Sequence, residues 1–222
     1  MESLAARLAA VRERMARAAG RARRDPAGIA LVAVTKIFPA EVILDAYRLG
    51  LRDFGENYVQ EFEGKHAAVA HLDGVRFHLI GHLQSNKARR AAELFHAIQT
   101  VDSARLARRL DEAGRPLEVM LEVKLSPEQE KSGARPEELP ELMAAVRACA
   151  NLHLAGLMTM PPWSDDPEVS RPYFRRLREL SERLGLAGLS MGMSHDLETA
   201  IEEGATLVRV GTALFGKRVK PA

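Results

Sequence analysis

Lysine is scarce in this chain, so each one invites the question of what an amine does there that a guanidinium would not. Of 32 basic side chains, seven are lysines: Lys36, Lys65, Lys87, Lys124, Lys131, Lys217 and Lys220. Lys36 follows the apolar run Leu31-Val32-Ala33-Val34-Thr35 and precedes Ile37-Phe38. Partial desolvation at such a point favours the neutral amine, the form that attacks a carbonyl to make a Schiff base. The alternatives are a lysine whose stem carries its charge to the rim, or one paired with Glu56. Gly192, Ser194, Gly211 and Thr212 form a second group, after the last two apolar runs. Glycine lets backbone N–H groups approach an anion, and Thr212 adds a hydroxyl donor. Ser194 is placed to cap a helix beginning near His195, whose free N–H groups would face the ligand. The plain alternative makes Ser194 an N-cap and Gly211 a strand terminator. Arg209 sits inside Leu207-Val208-Arg209-Val210, and an arginine buried in a strand is costly unless partnered. It reads either as a ligand contact or as half of a structural ion pair with Glu56 or Asp196.

These residues need a scaffold that brings strand ends together. Eight short apolar runs recur, roughly 30–35, 51–55, 77–81, 96–101, 117–123, 152–158, 186–190 and 206–211. Amphipathic helical stretches alternate with them, near 40–49, 57–70, 85–94, 103–113, 136–149, 168–184 and 195–203. Runs apolar on both faces, separated by helices, predict a buried parallel sheet in an α/β fold. Eight strands predict a single (β/α)8 TIM barrel over residues 1–222, with an open doubly wound sheet as the rival. Residues 3–22 form a further helix, with Leu4, Leu8, Val11 and Met15 on one face and arginines on the other. This N-terminal helix is expected to replace the eighth outer helix. Function in such barrels sits at the C-terminal strand ends. Those ends carry Lys36, Glu56-Asn57, Gly81-His82, Asp102-Ser103, Lys124, Thr159, Met191-Gly192-Met193-Ser194 and Gly211-Thr212.

Composition excludes several classes. The 222 residues are 46% apolar and 28% charged with net charge +2, which predicts one globular core and no dedicated nucleic-acid surface. Cys149 is the single cysteine, so no disulfide framework or cysteine metal site exists, and a reducing, cytoplasmic setting is expected. No apolar run is long enough to span a membrane, and the N-terminus carries charges at Glu2, Arg7, Arg12, Glu13 and Arg14. His78 and His82 straddle a strand and its turn, a spacing that does not suit a shared metal. Trp163 lies in a turn-rich loop, as a cover or an anchor. The arginines of 171–183 read as a solvated helix face, and Cys149 as a small buried hydrophobe.

Seven runs carry a resemblance: Gly55-Glu56-Asn57-Tyr58, Phe77 to Lys87 (FHLIGHLQSNK), Val101-Asp102-Ser103, Lys131-Ser132-Gly133, Gly156-Leu157-Met158-Thr159, Ser190-Met191-Gly192-Met193-Ser194 and Val208-Arg209-Val210-Gly211-Thr212. Together they resemble the YggS/PROSC-like pyridoxal phosphate homeostasis proteins, from about residue 30 to residue 218. The resemblance implies a barrel carrying pyridoxal 5′-phosphate (PLP), like the barrel domain of alanine racemase without its second domain. By position, Lys36 would form the internal aldimine. Ser194, Gly211, Thr212 and the backbone at Met193 would hold the phosphate. Arg209 would face the pyridine nitrogen, and Asn57 and His82 would lie near the ring. Lys131 matches a family lysine that takes part in handing PLP on. Lys124 departs from the pattern, because relatives often have asparagine there. It reads as a phosphate partner, a second amine or a solvent-facing rim lysine.

An arginine facing the ring nitrogen does not donate a proton near neutral pH, so the ring stays a poor electron sink. That disfavours transamination and suits simple cofactor holding, or racemisation with a second base. The expected function is therefore a monomeric cytoplasmic protein that holds PLP and delivers it to PLP-accepting apoenzymes, turning over no substrate. The alternatives are a PLP-dependent amino-acid racemase-like enzyme and a Schiff-base aldolase. A racemase would need a second base from another domain, for which the length leaves no room.

Overall fold

The computed structural model describes residues 2–126, 128 and 132–216. Eight parallel strands close into a barrel in sequence order. They are β1 (Ala30–Val34), β2 (Asp53–Glu56), β3 (Arg76–Leu79), β4 (Ala97–Val101), β5 (Leu117–Glu122), β6 (Leu152–Met158), β7 (Gly188–Met193) and β8 (Leu207–Val210). Closure is made by β1 on β8, with Ala30 opposite Leu207 and Ala33 opposite Val210. The open-sheet rival is thereby excluded. The strands bury both faces over most of their length, one inside the barrel and one against the helix ring, which is why the runs read as largely apolar.

The ring comprises α1 (Leu4–Arg21), α2 (Ala40–Arg48), α3 (Val59–Val69), α4 (Ala88–Leu94), α5 (Ala104–Asp111), α6 (Leu139–Arg147), α7 (Arg171–Leu184), α8 (Leu197–Glu202) and α9 (Thr212–Phe215). Among the described residues, β8 is followed only by the single turn α9. As expected, α1 fills the eighth outer position, packing on α8 and α9. Ser3 caps α1 by accepting the Ala6 N–H at 3.2 Å. Leu8, Val11, Met15, Ala18 and Ala19 form its buried face. Arg14 on the same helix donates to both Glu198 oxygens at 2.6 and 2.7 Å and to the Ser194 carbonyl at 3.0 Å. The N-terminal helix therefore holds the loop after β7.

Three sequence readings change. β2 begins at Asp53, later than the apolar run suggested, because Leu51 packs in the preceding turn. The arginines of α7 are not merely solvated: Arg171, Arg175 and Arg178 all reach the buried carboxylate of Glu203, at 3.2, 3.1 and 3.2 Å. Burial pushes Glu203 up, but these guanidiniums outweigh it and hold the carboxyl below its usual range. Cys149 is half-buried, its Sγ 3.3 Å from the Ala145 carbonyl. Among the described residues no helix is long and apolar enough to cross a membrane, and no cluster of His, Cys, Asp and Glu could hold a metal.

Candidate functional site

Lys36 leaves the top of β1 half-buried, and its backbone is clamped on both sides. On one side, Thr35 donates its N–H to the Gly55 carbonyl at 3.0 Å and its hydroxyl to Glu56 Oε1 at 2.8 Å. Lys65 Nζ donates to the Thr35 carbonyl at 3.1 Å, to Glu56 at 3.0 Å and to Glu61 at 2.6 Å. On the other side, Ile37 donates its N–H to Glu61 Oε1 at 2.5 Å. Ile37 adopts φ +70°, a left-handed conformation that a β-branched residue rarely takes. The strain persists because the Glu61 contact and the flanking bonds over-determine the turn. Glu56 is fully buried; burial pushes its carboxyl up, against the opposing pull of Lys65 and Thr35. Glu56 is thus the partner of Lys65, a buried lysine that the sequence reading passed over. The signal was present: Glu61 and Lys65 stand four apart on α3, beside a strand-end glutamate.

Arg209 on β8 is buried inside the barrel. Its Nη1 donates to Ser190 Oγ at 2.7 Å and its Nη2 to the Thr159 carbonyl at 3.0 Å. Neither Glu56 nor Asp196 bonds it directly, so the ion-pair reading of Arg209 is replaced by neutral acceptors. Desolvation lowers its pKa to about 10, opposed by the charges of Asp196 and Glu122, and it stays cationic at neutral pH.

Ser194 does not cap the following helix. Asp196 stands at that position, taking the Met193 N–H at 2.7 Å. Ser194 Oγ instead accepts the N–H groups of Gly211 and Ala213, each at 3.2 Å. The loops after β7 and β8 are joined through that one hydroxyl. Gly192 permits the approach: its φ is +89°, and a Cβ there would lie 2.4 Å from Ala200 Cβ. Thr212 stands exposed as the first residue of α9. Phe38 and Phe215 pack with ring centroids 5.5 Å apart, bringing the loop that carries Lys36 beside α9.

The loop after β2 packs on the loop after β3 where Asn57 meets Gly81, next to His82. A Cβ on Gly81 would lie 2.3 Å from the Asn57 carbonyl oxygen, so only glycine allows this contact. Asn57 and His82 border a cavity of about 390 Å³ with Gln84 and Lys87. His82 Nδ1 lies 3.8 Å from Asp102 Oδ2. A second cavity, of about 480 Å³, opens over β5–β7 and is bordered by Glu122, Lys124, Ser126, Met160, Trp163 and Met193. Trp163 is 70% exposed and packs on His195 with centroids 4.8 Å apart. Lys131 lies outside the described residues.

Glu122 is the functional candidate missing from the sequence reading. It is 3% exposed, and its Oε2 is buried without a hydrogen-bond partner among the described residues. Burial, then the charge of Asp102, pushes its carboxyl up to about 7, against the pull of Arg209. A glutamate inside the apolar run 117–123 was the available signal.

The alanine racemase N-terminal domain family model matches residues 6–219. The pyridoxal phosphate homeostasis protein of Pseudomonas aeruginosa is 50% identical, covering 98% of this chain and 97% of that protein. Its counterpart in Aquifex aeolicus is 43% identical over 96% of this chain and 97% of its own. Among solved structures, PipY of Synechococcus elongatus with PLP bound is 39% identical, with a TM-score of 0.83 over 96% of this chain and all of that chain. An alanine racemase of Clostridium difficile shares the fold at 13% identity and a TM-score of 0.70, covering 93% of this chain and 56% of that one. With the barrel, the clamped Lys36 and the joined loops after β7 and β8 in place, these matches assign the chain: it belongs to the pyridoxal phosphate homeostasis protein family, within the alanine racemase N-terminal domain barrels.

Proposed function

We propose that this protein binds PLP reversibly through Lys36 and serves as an intracellular, monomeric holder that passes the cofactor to apoenzymes. The observation that carries the reading is the convergence of three chemistries at one barrel mouth. A lysine amine stands after β1, an arginine is fixed inside β8, and Ser194 gathers the Gly211 and Ala213 N–H groups beside them. The donor set fits the group: an amine for an aldehyde, a guanidinium for a ring nitrogen, and the Ser194 and Thr212 hydroxyls for a phosphate. The relatives, a pyridoxal phosphate homeostasis protein and PipY with PLP bound, support the same cofactor.

When bound, PLP supplies an aldehyde that condenses reversibly with a primary amine. The chain's residues then have separable tasks. The Glu56–Lys65–Glu61 cluster fixes the backbone on either side of Lys36, so the amine is presented from one place. Arg209 keeps its proton, so a ring nitrogen held against it would stay unprotonated. Ser194 and Thr212 supply hydroxyl donors for an anion, while the Gly211 N–H is engaged by Ser194 Oγ and the Met193 N–H by Asp196. Asn57 and His82 border the mouth on the β2–β3 side.

A racemase needs a second base across from Lys36. The described tyrosines do not supply it. Tyr58 is exposed at the start of α3, Tyr47 donates to the Asp73 carbonyl at 3.2 Å, and Tyr173 lies on α7 outside the barrel. Holding without turnover is the better-supported reading. The test is delivery: PLP-loaded protein is mixed with an apo-aminotransferase, and recovery of that enzyme's activity is timed against free PLP. Recovery with no free PLP pool is expected. Failure to load, or racemisation of amino acids that depends on Lys36, would overturn the reading.

A further inference from the structure

Arg209 is the first member of a buried chain of hydrogen bonds that crosses the barrel. Ser190 Oγ on β7 lies 2.6 Å from Gln99 Oε1 on β4. Gln99 Nε2 lies 3.1 Å from His78 Nδ1 on β3. His78 Nε2 lies 2.8 Å from Asp53 Oδ1 at the start of β2. Ser190, Gln99 and His78 are buried, and Asp53 borders a cavity of about 320 Å³ with Arg12 and Arg52 at the opposite, N-terminal face. One continuous path therefore joins the two ends of the barrel.

The direction of every bond follows from Arg209. A guanidinium has donors only, so Ser190 Oγ must accept from it. The Ser190 hydroxyl proton then goes to Gln99, and the 2.6 Å separation suits O–H···O and is short for N–H···O. Gln99 is thereby oriented with its oxygen toward Ser190 and its NH2 toward His78. His78 Nδ1 must accept, which leaves the proton on Nε2, donated to the Asp53 carboxylate. All four bonds run one way, from a buried cation to a half-buried anion, and such aligned chains strengthen each other in a low dielectric. Arg209 makes no direct ion pair among the described residues, so this chain and the Thr159 carbonyl are what hold it.

We propose that Ser190, Gln99, His78 and Asp53 are positioning residues for Arg209, a relay that fixes the guanidinium facing the cofactor ring from the far side of the barrel. The inference rests on the PLP-binding reading for its functional consequence, though not for the order of its bonds.

Two measurements test it. Histidine 15N NMR on the protein without added PLP is expected to show His78, assigned by a His78→Gln control, as the neutral Nε2–H tautomer. An Nδ1–H tautomer, or a doubly protonated ring at neutral pH, would break the donor order and overturn the relay. PLP affinity, read from the visible absorption of the loaded protein, is then compared in wild type, Gln99→Met, Arg209→Met and the double variant. Gln99→Met is expected to weaken binding about tenfold in the wild-type background and hardly at all when Arg209 is already absent. Equal losses in both backgrounds would make Gln99 a packing residue and sink the proposal. If Gln99→Met does not fold, the tautomer alone decides. A wild-type protein that takes up no PLP would refute the reading of the site, while the His78 signal would still judge the relay.

Discussion

Two residues at the mouth carry consequences of their own. Glu122 has its carboxyl raised from 4.5 to about 7 by burial, so the folded state holds a proton that the unfolded chain has lost. Its stabilising contribution is complete below about pH 4.5 and fades as pH rises through 7. Glu122→Gln removes that penalty. Denaturant unfolding is expected to show little difference at pH 4 and a gain approaching about 3 kcal/mol at pH 8. An equal effect at both values would mean that Glu122 does not titrate where its burial places it. Ile37 stores strain at φ +70°, and Ile37→Gly is expected to stabilise the fold by about 1 kcal/mol while loosening Lys36. Thermal unfolding with a PLP titration would register both. At this scale the sequence was legible in placing Lys36 and Ser194 after the ends of β1 and β7, but it misread Ser194, whose hydroxyl ties two loops instead of capping a helix. It was less legible inside strands. Gln99, Ser190 and Glu122 point into the barrel, but alternation along a strand buried on both faces does not mark which side is the lumen.

At the scale of elements, strand and helix positions were readable because the apolar period switches cleanly between them. Boundaries moved by a few residues where turn packing took over, as at Leu51. What sequence spacing missed is how elements are tied. The pairing of Glu56 on β2 with Lys65 on α3 joins a strand to its own crossover helix and braces the turn between β1 and α2. Lys65→Met leaves a buried carboxylate without its cation and is expected to cost about 3–5 kcal/mol in chemical denaturation. Adding Glu56→Gln should recover much of that loss, since the penalty lies in the unpaired charge. A double variant as unstable as the sum of the singles would show that the two residues act independently. On the far side of the barrel, Glu203 gathers three arginines of α7 and does the same for the α7–α8 contact. Its depressed carboxyl contributes stability above the unfolded carboxylate range and loses it as the solution is acidified.

Over the whole molecule, the barrel brings the loop that carries Lys36 beside α9, and the N-terminal helix secures the proposed anion-binding side through Arg14. A ligand that binds only the folded state raises stability by mass action, by about 2.7 kcal/mol at one hundred times its dissociation constant. PLP should therefore raise the unfolding midpoint in a concentration-dependent way, and Lys36→Ala should remove most of that rise. The scarcity of lysine makes the decisive measurement clean. PLP-loaded protein is reduced with borohydride, digested and mapped by mass spectrometry. The cofactor is expected on Lys36 alone, with no label in Lys36→Ala. A label on Lys124, or one that survives in Lys36→Ala, would contradict the assignment on which the account of this site depends.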